Sequence, residues 1–221
     1  MIDEALQRLT DVRGRIAKAA ALAGRPGEDV TLIAVSKTKA VDDIVPLIAA
    51  GARDFGENRV QEALGKWPPL LDANPDLRLH LIGQLQSNKA EDAVALADAI
   101  HSVDRPTLIA ALARAMDRTG KRPACFLQVN IAEEPQKGGC PVAALPALLA
   151  EARAADLPVA GLMCVPPADL EPAPWFAFLA KLARDHGLRG LSMGMSGDYE
   201  TAVKLGASHV RVGTALFGAR P

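Results

Sequence analysis

The stretch VTLIAVSKTKAVDDIVPLIAAGARDF, residues 30–55, carries a complete strand–helix–strand order. It begins with a β-branched apolar run, continues as a helical stretch at 42–50 that ends at Gly51, and closes on a second β-rich run at 52–55. A polar turn containing Lys37 joins the first run to the helix. This order predicts parallel strands with helices packed on the outside.

The same alternation continues to the end of the chain and gives eight predicted strands. Apolar residues at helical spacing predict a further amphipathic helix over 1–24. Eight strand–helix units predict a (β/α)8 TIM-type barrel over 30–221, with the extra N-terminal helix and the barrel forming one domain, 1–221. The predicted strands are 30–36, 52–55, 77–83, 99–103, 124–131, 158–165, 190–193 and 208–213, and the helices between them are 42–50, 57–66, 87–98, 105–119, 141–155, 174–186 and 197–205.

A doubly wound open sheet would also alternate strands and helices. When such a sheet binds a dinucleotide, it usually places a GxGxxG turn after its first strand, and here that turn is SKTKAVDD. The Pro-rich stretch at 166–174 is too short for a domain linker and is predicted to be a loop. The barrel is therefore the preferred architecture.

Composition narrows the class of partner. The chain has 25 Lys and Arg against 26 Asp and Glu, so it lacks the basic surplus of a nucleic-acid-binding protein. Its three cysteines form no CxxC pair, which argues against a disulfide framework or a zinc site. With no apolar run of membrane-spanning length, we expect a soluble cytoplasmic protein whose partner is a small molecule.

Lys37 is the candidate reactive group. A lysine at a strand end is ordinarily a solvated loop residue, but here LIAV would be buried in the barrel. The next inward-pointing side chain would then enter a confined, partly desolvated space, where an amine can condense with a carbonyl group. Asn58, which follows the second strand, is a candidate ligand beside it, whereas Glu57 can equally be a helix cap.

Two segments near the end of the chain predict a phosphate cradle. MGMSGDYE, 193–200, is a glycine-containing turn that enters a helix and offers Ser196, and HVRVGTALFGAR, 209–220, adds Gly213 and Thr214. Barrels often build phosphate sites from the loops after their last two strands. These turns would meet Lys37 only if the strands close into a barrel.

Arg211 is predicted inside the last strand, where it needs a partner: an acidic side chain or a ligand atom. The four histidines share no ligand spacing, and three of them lie in predicted strands. We expect these three to fill space or to bond backbone carbonyl groups. No hydrolase, metalloprotease or nucleotide-triphosphatase motif occurs in the sequence.

With these residues in place, the chain resembles the pyridoxal phosphate homeostasis protein family, also called the proline synthetase co-transcribed family, over nearly its whole length. The motifs that carry the resemblance occur in family order. They are AVSKTK, FGENRVQE, HLIGQLQSNK, SVDR, VNIAEEPQKGG, GLMCVPP, SMGMSGD and VRVGTALFGAR.

The resemblance implies a barrel like the N-terminal domain of alanine racemase, with pyridoxal 5'-phosphate held as a Schiff base on Lys37. It further implies that Arg211 approaches the pyridine nitrogen and that Met195 and the 83–88 loop line the pocket. The same resemblance implies that Asn58 lies beside the ring of the cofactor. It also implies that the phosphate is contacted by Ser196, Gly213 and Thr214. One departure is the 166–174 loop, which is shorter than family members often have.

The family function implied is a monomeric, noncatalytic carrier in cofactor homeostasis, with pyridoxal phosphate-dependent apo-enzymes as recipients. A pyridoxal phosphate enzyme such as an amino acid racemase is the alternative, but it needs an acid–base group on each face of the substrate, and Tyr199 is the only tyrosine. A phosphosugar aldolase or isomerase that uses Lys37 as a Schiff base is a third hypothesis. Lys39, Lys89 and Lys137 are candidate guides for phosphate or a partner, but we expect them to be exposed lysines that are simply solvated.

Overall fold

The computed structural model describes residues 2–218 of the chain. Within that range the structure has nine strands and ten α-helices. The strands are Thr31–Val35 (β1), Asp54–Glu57 (β2), Arg78–Leu81 (β3), Ala99–Val103 (β4), Ala124–Asn130 (β5), Cys140–Pro141 (β6), Val159–Met163 (β7), Gly190–Met195 (β8) and His209–Val212 (β9). The helices are Ile2–Leu22 (α1), Val41–Ala49 (α2), Val60–Lys66 (α3), Pro68–Ala73 (α4), Ala90–Leu96 (α5), Pro106–Thr119 (α6), Leu145–Ala154 (α7), Ala173–Asp185 (α8), Tyr199–Lys204 (α9) and Thr214–Phe217 (α10).

The strands close into a parallel barrel. Their order is β4-β3-β2-β1-β9-β8-β7-β5, and a further pairing between β4 and β5 completes the ring. Every strand pair is parallel, so the carboxyl ends of all barrel strands meet at one face. The two-residue strand β6 lies beside β5 and outside the ring. The predicted TIM barrel is therefore confirmed.

Helix α1 packs on the outside of the barrel. Its buried stripe includes Leu9, Val12 and Ile16, which recur at helical spacing and contact the helices α2 and α9. The predicted extra N-terminal helix is thus present, starting at Ile2 and ending two residues earlier than expected. No helix between residues 2 and 218 combines the length and the apolar character that crossing a bilayer requires.

One boundary error with consequences for the site falls after the second strand. The sequence predicted a helix over 57–66, but α3 begins at Val60 and Glu57 is the last residue of β2, fully buried. An unpredicted helix, α4, follows at once and begins at Pro68. Proline suits that position because a helix does not use its first backbone N–H groups.

The interior of the barrel holds imidazole rings where branched aliphatic side chains are more usual. His80, His101 and His209 lie with their ring centroids 5.2 to 6.0 Å apart, and His101 stacks on Phe126 at 4.4 Å. The expectation that these histidines bond backbone carbonyl groups was wrong. Their hydrogen bonds run to side chains, because the neighbouring strands place other polar groups opposite them.

Candidate functional site

A cavity of about 450 Å³ opens at the carboxyl ends of the strands. All seven residues that the sequence singled out for a small-molecule site line it: Lys37, Asn58, Met195, Ser196, Arg211, Gly213 and Thr214. Val35, Ile82, Val165 and Gly197 complete the lining. Residues far apart in sequence therefore face one space because the barrel brings their strand ends together.

Lys37 reaches the cavity from the loop that follows β1. Ser36 is buried, Lys37 is half-buried, and the backbone N–H of Lys39 donates to the carbonyl oxygen of Ser36 at 3.0 Å. Thr38 has a φ of +62°, a left-handed conformation that non-glycine residues seldom adopt. The loop is thus a tight turn, and its shape fixes where the Lys37 amine points.

A buried lysine on α3 holds this turn from below. The ammonium of Lys66 donates to the carbonyl oxygens of Ser36 at 3.0 Å and Lys39 at 3.2 Å. It also pairs with the carboxylates of Glu57 at 2.7 Å and Glu62 at 3.0 Å. These contacts place one cation beneath the two carbonyl groups that flank Lys37.

Glu57 anchors that cation from the barrel wall. Its Oε1 accepts hydrogen bonds from the Ser36 hydroxyl at 2.6 Å and the Trp67 indole N–H at 3.0 Å, in addition to its ion pair with Lys66. The prediction that Glu57 can be a helix cap was wrong: Glu57 is the last residue of β2, and its side chain is buried. A buried carboxylate requires such a partner.

Glu62 completes the support of the turn. Its carboxylate accepts the backbone N–H of Thr38 at 2.5 Å as well as the Lys66 ammonium. Partial burial works to raise the pKa of Glu62, but the hydrogen bonds from Lys66 and Thr38 outweigh it and hold that pKa below its ordinary value. Glu62 is therefore ionised at neutral pH and holds Thr38 in its left-handed conformation.

Sequence reasoning missed Lys66 and Trp67 as parts of this site and left Glu57 open between a site role and a helix cap. The available signal was a charged pair within FGENRVQEALGKW, with Glu57 two residues after Phe55 and Lys66 at the end of the next helix. Spacing alone does not reveal that both side chains turn inward. That follows from α3 starting at Val60, three residues later than predicted.

The turns after β8 and β9 build a further part of the cavity wall, beside the Lys37 turn. The backbone N–H of Gly213 donates to the Ser196 hydroxyl at 3.1 Å, so the two turns are joined directly. A Cβ placed on Gly197 would meet nothing within 4 Å, which leaves its backbone open to an approaching ligand. Thr214 and Met195 are exposed at the rim.

Asn58 enters the cavity from the end of β2, and the next loop packs on its backbone. A Cβ at Gly83 would lie 2.2 Å from the carbonyl oxygen of Asn58, so only glycine fits there. Residues 83–88 were expected to line the cavity, but they are not among its lining residues; Ile82, just before them, is.

Arg211 is buried in β9 and is the second cation of the cavity. Its Nη1 donates to the Ser192 hydroxyl at 2.7 Å and its Nη2 to the carbonyl oxygen of Cys164 at 3.0 Å. Burial lowers the pKa of Arg211 from its ordinary value. Among residues 2–218 no carboxylate forms an ion pair with it, so the expected acidic partner is not there.

The loop predicted at 166–174 borders a neighbouring cavity of about 400 Å³, which shares Val165, Met195 and Gly197 with the first. Lys137 reaches across, donating to the carbonyl oxygen of Pro166 at 2.9 Å and pairing with Glu134 at 2.6 Å. Lys137, Lys39 and Lys89 are each half-buried, so the expectation that they are exposed was wrong.

The chemistry of the cavity is that of a donor-rich pocket. Its ionisable lining residues within the described chain, Lys37 and Arg211, are both cationic, and Ser196, Thr214 and Asn58 add neutral donors. A primary amine and a guanidinium that line one space suit an anionic ligand that carries a carbonyl group.

Known proteins resemble the chain over nearly its full length. The alanine racemase N-terminal domain family matches residues 8–221. The pyridoxal phosphate homeostasis protein of Pseudomonas aeruginosa is 43% identical over 227 residues, covering 97% of this chain and 95% of that protein. The Escherichia coli protein of the same name is 37% identical over 237 residues, covering 99% and 98%.

A solved structure resembles it equally closely. PipY of Synechococcus elongatus, with pyridoxal phosphate bound, is 40% identical and superposes with a TM-score of 0.84 over 97% of this chain and 100% of that one. Ala219 and Arg220, the end of the last sequence motif, lie outside the described residues.

Proposed function

The chain belongs to the family of pyridoxal phosphate homeostasis proteins, and on that premise we propose that it binds pyridoxal 5'-phosphate in the cavity at the carboxyl ends of the strands, with Lys37 as the covalent anchor. One observation carries the proposal: Lys37, Ser196 and Arg211, from three different strand ends, converge on a single cavity.

The residues present fit the cofactor. A cavity of about 450 Å³ is within the ordinary range for a small ligand, roughly 300 to 1,000 Å³. Its donors match a dianionic phosphate at one end, and the half-buried amine of Lys37 matches an aldehyde. When bound, pyridoxal phosphate supplies an aldehyde that a primary amine can hold reversibly.

Each residue has a separate task in this proposal. Lys37 binds the aldehyde carbon, Ser196, Gly213 and Thr214 donate to the phosphate, and Arg211 donates to the ring nitrogen. Asn58 lies beside the ring, and Met195 covers the open rim. A guanidinium at the ring nitrogen keeps that atom unprotonated, which weakens the ring as an acceptor of electrons.

That last point favours a noncatalytic carrier over an amino acid racemase. A racemase needs two acid–base groups at the substrate carbon, and Tyr199, the only tyrosine, is buried under α1 with the Arg15 guanidinium 5.4 Å above its ring. It does not line the cavity. Lys37 would therefore have to act without a second base.

We extend the proposal to the setting of the protein. It acts as a monomer in the cytoplasm and delivers or buffers the cofactor for apo-enzymes that require it. Cys125, Cys140 and Cys164 are buried free thiols, and burial raises their pKa values to about 12, 11 and 12, so they stay protonated and unreactive. This suits a reducing compartment.

The experiment is to incubate the purified protein with pyridoxal phosphate, record the visible absorbance, reduce with borohydride and map the modified peptide by mass. The wild-type protein should show a new band and a modification at Lys37, and Lys37→Ala should lose both. Lys39→Ala is the matched control, because Lys39 is a half-buried lysine two residues away on the same turn. Labelling that persists in Lys37→Ala would contradict the proposal.

A further inference from the structure

A continuous chain of hydrogen bonds crosses the interior of the barrel and ends at the cofactor cavity. Arg211 Nη1 donates to the Ser192 hydroxyl at 2.7 Å, and that hydroxyl lies 2.8 Å from Nδ1 of His101. Nε2 of His101 lies 3.0 Å from Nδ1 of His80, whose Nε2 lies 3.0 Å from a carboxylate oxygen of Asp54. Five side chains from five strands are linked in series.

The carboxylate end sets the direction of the series. An ionised carboxylate can only accept, so His80 donates from Nε2 to Asp54. In the arrangement that follows, Nδ1 of His80 accepts from Nε2 of His101, and Nδ1 of His101 accepts from the Ser192 hydroxyl, whose oxygen also accepts from Arg211. Each imidazole then carries its proton on Nε2.

The charges around the imidazoles support this assignment. Burial lowers the pKa of His101 well below its ordinary value, and the neighbouring His80, His209 and Arg211 lower it further. Burial works to raise the pKa of Asp54, but hydrogen bonds from His80 and Arg78 outweigh it, so the pKa is lowered. His101 is thus a neutral link between the guanidinium of Arg211 and the ionised carboxylate of Asp54.

The placement of the carboxylate has a consequence for the cavity. Asp54 is the first residue of β2, at the amino end of the barrel, where Arg78 also binds it at 2.8 Å. Arg211 lines the cavity at the carboxyl end. A carboxylate in direct contact would offset the guanidinium charge, whereas a serine and two imidazoles orient the guanidinium and leave its charge directed at the cavity.

We propose that Ser192 and His101 are positioning residues for the cofactor site, acting through Arg211: they hold its guanidinium against the ring of the bound ligand, and His80 and Asp54 fix their proton positions. The ligand's identity rests on the proposed function. The hydrogen-bonded series of side chains does not rest on it, because it is formed by five buried residues of the protein itself.

The binding test uses three serine variants. Ser192→Ala should weaken equilibrium binding of pyridoxal phosphate roughly tenfold, the effect of one hydrogen bond, and Ser192→Thr, which keeps the hydroxyl, should restore most of it. Ser102→Ala is the matched control: Ser102 is a fully buried strand serine beside His101 whose hydroxyl has no partner in the described chain. Equal losses in Ser192→Ala and Ser102→Ala, or no loss in either, would overturn the proposal.

A second measurement works on the ligand-free protein and so separates this inference from the proposed function. Long-range 1H–15N spectra of the imidazoles should show His101 neutral with the proton on Nε2, and Ser192→Ala should change the Nδ1 signal of His101 more than that of His209. A charged His101, or a proton on its Nδ1, would overturn the inference. If the wild-type protein fails to bind pyridoxal phosphate, the proposed function fails and these spectra alone decide the present one.

Discussion

The ammonium of Lys66 lies 3.0 Å from the carbonyl oxygen of Ser36, the residue that immediately precedes Lys37. The same ammonium bonds the carbonyl oxygen of Lys39 at 3.2 Å. The strand β1 ends before this turn begins, so the strand alone does not hold it. A buried cation on α3 therefore determines where Lys37 points, and the carboxylate partners of Lys66 determine whether that cation can stay buried.

Lys66→Met is expected to destabilise the protein by about 3–5 kcal/mol, because it leaves the Glu57 carboxylate buried without its cation. Cofactor binding should weaken as well, since the turn that carries Lys37 loses two hydrogen bonds. Urea denaturation measures the free energy of unfolding, and absorbance titration measures binding on the folded protein.

Two variants control that experiment. Lys18→Met alters an exposed lysine of α1 and should change the free energy of unfolding by less than about 0.5 kcal/mol. Adding Glu57→Gln to Lys66→Met should recover part of the lost stability, because no unpaired buried charge remains. If Lys66→Met were as mild as Lys18→Met, the ion pair would not support the turn.

Gly83→Ala should disturb Asn58. Its Cβ would lie 2.2 Å from the Asn58 carbonyl oxygen and 2.7 Å from the Asn58 Cα, both backbone atoms that cannot move away cheaply. We expect a loss of about 1–3 kcal/mol and weaker cofactor binding. Gly65→Ala is the matched control of opposite sign: Gly65 lies exposed in α3 with free space around it, so alanine should stabilise by roughly 0.5–1 kcal/mol. Calorimetric melting of both variants decides the matter.

The barrel could be predicted from the sequence because local composition, short β-rich apolar runs between helical stretches, identifies its strands. AIHSV matches β4 at both ends, and the Lys37 turn, Asn58 and the two turns that carry Ser196 and Gly213 all follow predicted strands and line one cavity. The partners of buried charges could not be predicted. Whether Glu57 caps a helix or binds Lys66 depends on a three-residue difference in where α3 starts, and no local pattern sets that start.

The histidines show the same limit in the barrel interior. The sequence predicted that His80, His101 and His209 lie in strands and that their spacing is not that of metal or cofactor ligands. Each does lie in a strand. What they contact depends on which strands face each other across the closed ring. The Ser192 hydroxyl is 91 residues from His101 in sequence, yet the two bond at 2.8 Å because β8 and β4 face each other across the interior.

Ser196→Ala should reveal which end of the cavity holds the phosphate. We expect pyridoxal phosphate to bind roughly tenfold or more weakly, since a hydrogen bond to a charged group is lost. Binding of pyridoxal, which lacks the phosphate, should not change. An equal loss for both ligands would mean that Ser196 acts through its bond to Gly213 and shapes the cavity as a whole.

Acid should destabilise the protein through its interior imidazoles. Burial, then the proximity of His80, lowers the pKa of His209 from 6.5 to about 4, so between these values the unfolded chain binds a proton that the folded protein excludes. The contribution of His209 to the free energy of unfolding is therefore fully present above about pH 6.5. It falls as the pH drops towards about 4, by up to roughly 3 kcal/mol. His101 acts in the same direction.

Urea denaturation across this pH range should show a shallower pH dependence of stability in His209→Gln. His186→Gln is the control: His186 lies at the end of α8, outside the barrel interior, and this variant should retain the wild-type slope. A wild-type slope in His209→Gln would mean that this imidazole is not held neutral by the fold.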